Sequence, residues 1–155
     1  MIGEQYECNP VQADMVVVDP AAWVFAGANV QAGQRLAQAI GSEYDRYDPS
    51  QPGPKNVQIL AHSPVVCHGR ASFADMTYYS APSGAGVFAS GSIEWITKLT
   101  PPPSPLNEPV AVQVMKNVFA AFGDGPAGLR HPSQPNYAAI AAQYGATSGS
   151  VPGGD

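Results

Sequence analysis

Residues 14–19 (DMVVVD) place three consecutive valines between acids, the pattern of a short strand buried on both faces. Pro20 then opens a helical turn over 21–26 (AAWVFA), which Gly27 closes. Ala32, Leu36 and Ile40 recur at helical spacing, so residues 31–40 read as a short helix stopped by Gly41, with Gly33 weakening its first turn. Residues 47–54 (YDPSQPGP) are a loop by composition. Residues 56–61 (NVQILA) suit a strand that Pro64 breaks, and 65–72 read as an irregular connection.

Two further strands, 76–80 (MTYYS) and 86–89 (GVFA), flank Pro82, Ser83 and Gly84. A loop of that length and chemistry predicts an antiparallel hairpin. Ser92 stands where an N-cap is wanted, ahead of a short helix beginning Ile93-Glu94-Trp95-Ile96, with Glu94 complementing the helix dipole. Pro101, Pro102, Pro103 and Pro105 predict a stiff polyproline-like spacer. Val110, Val114, Val118 and Phe122 recur every four residues, with Met115 and Phe119 widening the stripe. They predict a helix over 110–122, capped by Asn107 and ended by Gly123. Residues 137–144 carry a helical turn or two, and 146–155 (ATSGSVPGGD) read as disordered.

Composition narrows the class. The 155 residues suit one domain, and 45% apolar content lets burial drive folding. Charged residues are only 12%, about half the usual share, so part of the surface is a candidate for cover by a partner or a neighbouring domain. Sixteen glycines and sixteen prolines argue against an all-helical bundle. The net charge is −5 and the seven Lys and Arg are scattered, which argues against nucleic acid and against an anionic membrane surface. MIGEQYECNP has neither a basic nor an apolar leader region, so the sequence-level expectation is a cytoplasmic protein. No apolar run is long enough to span a bilayer. Cys8 and Cys67 can pair, but two cysteines make no disulfide framework, and the simpler reading is two buried or free thiols.

Strands interleaved with helices indicate an α/β fold. The strands are few and short for a complete doubly wound domain, so the chain reads as part of a larger sheet.

Five blocks resemble the C-terminal portion of the large (beta) subunit of N,N-dimethylformamidase and its relatives. They are ADMVVVDPAAWVFAG (13–27), IGSEYDRY (40–47), NVQILAHSPV (56–65), ADMTYYSAPSGAGVFASGSIEW (74–95) and VMKNVFAAF (114–122). The resemblance implies a partial class I glutamine-amidotransferase-like sheet with flanking helices and a β-hairpin over residues 1–124, followed by a Pro/Gly-rich tail at 125–155. For full-length relatives it also implies hydrolysis of a carbon–nitrogen amide bond at a mononuclear iron held by two tyrosines and a glutamate. Those ligands are expected upstream of the matched region, so they are not carried onto Tyr78, Tyr79 or Glu94. No cofactor is then expected on this chain alone. A protein partner or an N-terminal region completes the enzyme, and a small-molecule amide is its substrate. The competing reading is a non-catalytic interaction or packing module that keeps the fold.

Three residues are the candidate catalytic groups. Glu43 and Asp45 lie two apart, so on an extended chain they share a face and can form a carboxylate pair that works as acid and base. The alternative is a pair of solvated loop charges with Arg46 as neighbour. His62 belongs with Cys67, His68 and Asp75 to a group with metal-ligand chemistry whose spacing matches no zinc motif. Ser92 lacks the second glycine of a nucleophile elbow and reads as a cap. Cys67 reads as core. Tyr78 and Tyr79, adjacent in a strand, must face opposite sides.

Overall fold

A computed structural model describes residues 2–145; the expected disorder of 146–155 lies outside them. Five strands come first and three α-helices last. Strand β1 (Gln5–Val16) pairs antiparallel with β2 (Arg35–Arg46). Strands β3 (Gln58–Cys67), β4 (Arg70–Ser80) and β5 (Gly86–Ala89) form a second antiparallel sheet in that order. The fold is thus mixed α/β with two small antiparallel sheets.

Strand β1 is clamped to β3 at both ends. Val17 bridges Ala61, and the amides of Val18 and Asp19 both donate to the Leu60 carbonyl. At the other end Cys8 and Cys67 form a disulfide, in place of the free thiols expected from sequence. Strands remote in sequence bring the two sulfurs together, which a count of cysteines cannot reveal. Closing a loop of 59 residues contributes about 4 kcal/mol in the chain-entropy account.

Where a helix is expected over 31–40, the chain makes a turn at 31–34 and then enters strand β2. Leu36 and Ile40 are both buried, but Gln38 has a φ of 48° and the pairing slips there, from Met15 opposite Leu36 to Ala13 opposite Ile40. A four-residue spacing returns to the same face in a strand as well as in a helix, so Ala32, Leu36 and Ile40 fit both. Pro64 does not break β3; it pairs with Phe73 on an edge strand of the three-stranded ladder, where a missing N–H is tolerated. The connection expected to be irregular is a two-residue hairpin. His68 and Gly69 have φ of 48° and 75°, the double left-handed conformation that matches strand twist.

Alternation on β3 and β4 puts apolar side chains on both faces of the second sheet. Leu60, Met76 and Tyr78 join the main core with Val17, Leu36, Tyr44 and the helix residue Val114. Ile59 and Tyr79 join a second core with Val18, Tyr47, Val57 and Ile140. Full burial contributes about 1.5–3 kcal/mol per large apolar side chain.

Helix α1 (Pro109–Gly123) follows its predicted stripe through Val110, Val114 and Val118, but Phe119 and Phe122 run off the core and are exposed. Glu108, not Asn107, caps it, accepting from the Val110 amide; Asn107 instead donates to the Thr100 carbonyl. The prolines before it are not an extended spacer. Turns closed by Ser104 on Pro101 and Asn107 on Ser104 fold them back, so that Glu108 reaches the Lys98 carbonyl. Beyond α1, helices α2 (Ala127–Arg130) and α3 (Tyr137–Tyr144) are tied to the sheet rather than trailing from it. Tyr78 donates to the His131 carbonyl, Ser133 bonds Asn56 and Ser80, and Asn136 bonds both backbone groups of Ile59.

Candidate functional site

From Ser42 to Arg46 strand β2 alternates: Tyr44 and Arg46 point into the protein, and Glu43 and Asp45 turn to the other, half-buried face. That face meets the segment between β5 and the 3-10 helix Ile93–Leu99. The Asp45 amide donates to the Gly91 carbonyl at 2.8 Å. The Ser92 hydroxyl accepts from the Gly41 amide at 2.9 Å and lies 2.7 and 3.0 Å from the Gly41 and Glu43 carbonyls, to which it donates. It also accepts from the Glu94 amide at 3.3 Å, the cap predicted for it. Ser92 therefore acts as a buried structural link that holds Glu43's strand.

Between these segments opens a cleft of about 460 Å³. Glu4, Glu43 and Asp45 supply its carboxyl groups, and Phe88, Trp95 and Met115 are among its apolar walls. Burial raises the Asp45 pKa, and the neighbouring Glu43 charge adds to the shift. Glu4 stands out more. Burial pushes its pKa well above the usual carboxylate value; Thr77 partly opposes this, while the charges of Asp75 and Asp45 reinforce it. Thr77 faces the group, yet neither Glu4 oxygen makes a well-formed hydrogen bond among the described residues. Burial of this kind favours the protonated form of the carboxyl.

Sequence reasoning missed Glu4. It lies just ahead of β1, outside any periodic segment, and the contacts that bury it come from β4: Gly3 beside it packs against Thr77 and Tyr79.

Arg46 is not the neighbour of the acid pair that the sequence suggested. Its side chain is buried on the opposite face, 3.4 Å from both Glu7 and Asp48. This leaves Glu43 and Asp45 without that cation.

His62 is placed apart from the cleft lining. It faces Asp75 across the β3–β4 ladder, with Nδ1 2.6 Å from the Asp75 carboxylate and Nε2 3.1 Å from the Gly145 carbonyl. Its ring stacks on Phe73 at 4.0 Å. The second Asp75 oxygen accepts from the Tyr47 amide at 2.9 Å. The backbone carbonyl of Asp75 packs against Gly91 of the cleft wall. The group proposed from sequence divides: His62 pairs with Asp75, whereas Cys67 is joined to Cys8 beside His68.

Tyr78 and Tyr79 enter different cores, as their adjacency requires. Glu94 accepts from the Thr97 hydroxyl at 2.6 Å. Two tyrosines and a glutamate are thus not gathered at these positions, so they do not fit a two-tyrosine, one-carboxylate iron site. Among the described residues, no helix is long and apolar enough to cross a membrane.

Residues 1–109 match the family described as N,N-dimethylformamidase beta subunit-like, C-terminal. The N,N-dimethylformamidase beta subunit of Paracoccus aminophilus is 31% identical over 107 residues, covering 52% of this chain and 14% of the relative. The corresponding subunit from Alcaligenes sp is 32% identical over 103 residues, covering 54% and 13%. The chain therefore spans about a seventh of the length of the curated relatives it matches.

Proposed function

Because this chain belongs to the N,N-dimethylformamidase beta subunit-like C-terminal family, we propose that it is part of an amide hydrolase and lends the Glu4–Glu43–Asp45 cleft to the wall of that enzyme's site. The supporting observation is the acid pair on one face of β2, sharing a cleft with the buried carboxyl of Glu4. Glu43 takes a proton from an attacking water as its oxygen bonds the amide carbon. Asp45, whose pKa burial raises, donates to the nitrogen as the carbon–nitrogen bond breaks, leaving a carboxylic acid and an amine.

The iron implied for full-length relatives belongs, in this reading, to polypeptide outside this segment, and so does the amidotransferase-like sheet. The partner is the remainder of such a large subunit. About six-sevenths of the relatives' length lies outside the matched segment, and Ile2 and Ile93 leave an apolar rim on the cleft for it to cover.

Release of dimethylamine from N,N-dimethylformamide tests the reading, measured for the chain alone and for the chain combined with the rest of such a subunit. Turnover by the combination, lost in Glu43→Gln, is the expected result. A combination that assembles and turns over equally well with Glu43→Gln refutes the catalytic reading and leaves a packing module.

A further inference from the structure

A second centre lies near the start of β1, where Cys8 pairs with Tyr44, the residue of β2 between Glu43 and Asp45. Cys8, Cys67 and His68 offer two sulfurs and a ring nitrogen that all lie within 4.8 Å of one another, the one such grouping of His, Cys, Asp and Glu among the described residues. We infer that, once the disulfide is reduced, these three side chains bind a zinc ion.

The local chemistry favours this. Both cysteines are buried while His68 is exposed at the hairpin tip, so an ion has a path from solvent. Carbonyl oxygens of Asn9 and Pro10 lie 3.8 and 3.5 Å from the sulfurs of Cys8 and Cys67. Negative thiolates facing carbonyl dipoles need a cation. Zinc with two thiolates and a neutral imidazole is a neutral unit, so its burial leaves no uncompensated charge.

The His68 ring is already oriented. Its Nε2 lies 2.8 Å from the Asn9 carbonyl. Donation there leaves the Nδ1 lone pair for the metal, the arrangement by which a carbonyl commonly fixes a ligating histidine. Three protein ligands and one water fill a tetrahedral shell. The left-handed His68–Gly69 turn holds the imidazole beside Cys67, although adjacent residues of a regular strand point apart.

The chemistry balances. A dithiol reductant gives two electrons and two protons to the disulfide and is itself oxidised. The two thiols then release two protons as they bind the zinc ion. In a reducing compartment, where protein disulfides are rare, the pair is available for this.

Zinc content measured after gel filtration of the full chain tests the inference, with and without a phosphine reductant. The reduced chain should retain about one equivalent and the oxidised chain none. Cobalt added to the reduced chain should give a thiolate-to-metal charge-transfer band. Cys8→Ser and Cys67→Ser should abolish the band, and His68→Ala should weaken zinc retention. A folded, reduced chain that takes up no zinc, or whose uptake is unchanged in Cys8→Ser, overturns the inference. If reduction loosens the fold, circular dichroism decides. Zinc should restore the wild-type spectrum but not that of Cys8→Ser/Cys67→Ser, and failure to restore the wild type also overturns it.

Discussion

The α-carbon of Gly91 lies directly against the carbonyl of Asp75, while its own carbonyl accepts the Asp45 amide at 2.8 Å. One residue of the cleft wall thus packs on the backbone of Asp75 and bonds the strand that carries Asp45. Gly91 also has a φ of 73°, which disfavours any side chain.

Gly91→Ala should therefore be among the most destabilising single changes in the chain. The added carbon overlaps the Asp75 carbonyl, and the left-handed backbone adds strain. The loss should exceed about 2 kcal/mol, read from the urea midpoint. A loss within about 0.5 kcal/mol would mean that the two segments are not in contact.

Stability should depend on pH through Glu4. Its folded pKa is raised above the usual 4.5, so the folded state holds its proton after the unfolded state has released it. Its favourable contribution is complete below pH 4.5 and is lost as pH rises through the folded value. Glu4→Gln removes that loss. Urea midpoints across the acid-to-neutral range should show the variant gaining on the wild type as pH rises, by about 1 kcal/mol or more at neutrality. Parallel curves would show that Glu4 is not buried in this way.

Ser92→Ala leaves the buried Gly41 amide without its acceptor and uncaps the 3-10 helix. A loss of about 2 kcal/mol is expected. Hydrogen exchange should quicken at Gly41 and Glu94, the two amides that lose their bonds.

Helix α1 makes an internal control. Val114 is fully buried and Phe119 is 68% exposed, although both belong to one apolar stripe. Val114→Ala should cost about 2 kcal/mol and Phe119→Ser less than about 0.5 kcal/mol in thermal or urea unfolding. Equal losses would place Phe119 in the core.

The elements legible in the sequence were those whose signals are local. The Pro82–Gly84 hairpin, the Ser92 cap and the Val110–Val118 face each depend on residues within a few positions. The beginning of β1 was hidden because Gln5–Pro10 is polar, and β2 because a four-residue apolar spacing fits a strand face as well as a helix face. The cleft was half legible. Glu43 and Asp45 share a face because strand geometry demands it. Glu4 joins them only through contacts with β4, and Cys8 meets Cys67 only because β1 lies along β3. No spacing rule encodes contacts made across tens of residues.

On the reading proposed above, the β2 acid pair takes part in amide hydrolysis within a larger enzyme. The most direct measurement is the kcat for dimethylamine release by the chain combined with the rest of a dimethylformamidase large subunit, compared with the Glu43→Gln variant of the same combination. A fall of about a hundredfold or more is expected, the usual contribution of a general base, with assembly intact. An unchanged kcat in an assembled enzyme would contradict it.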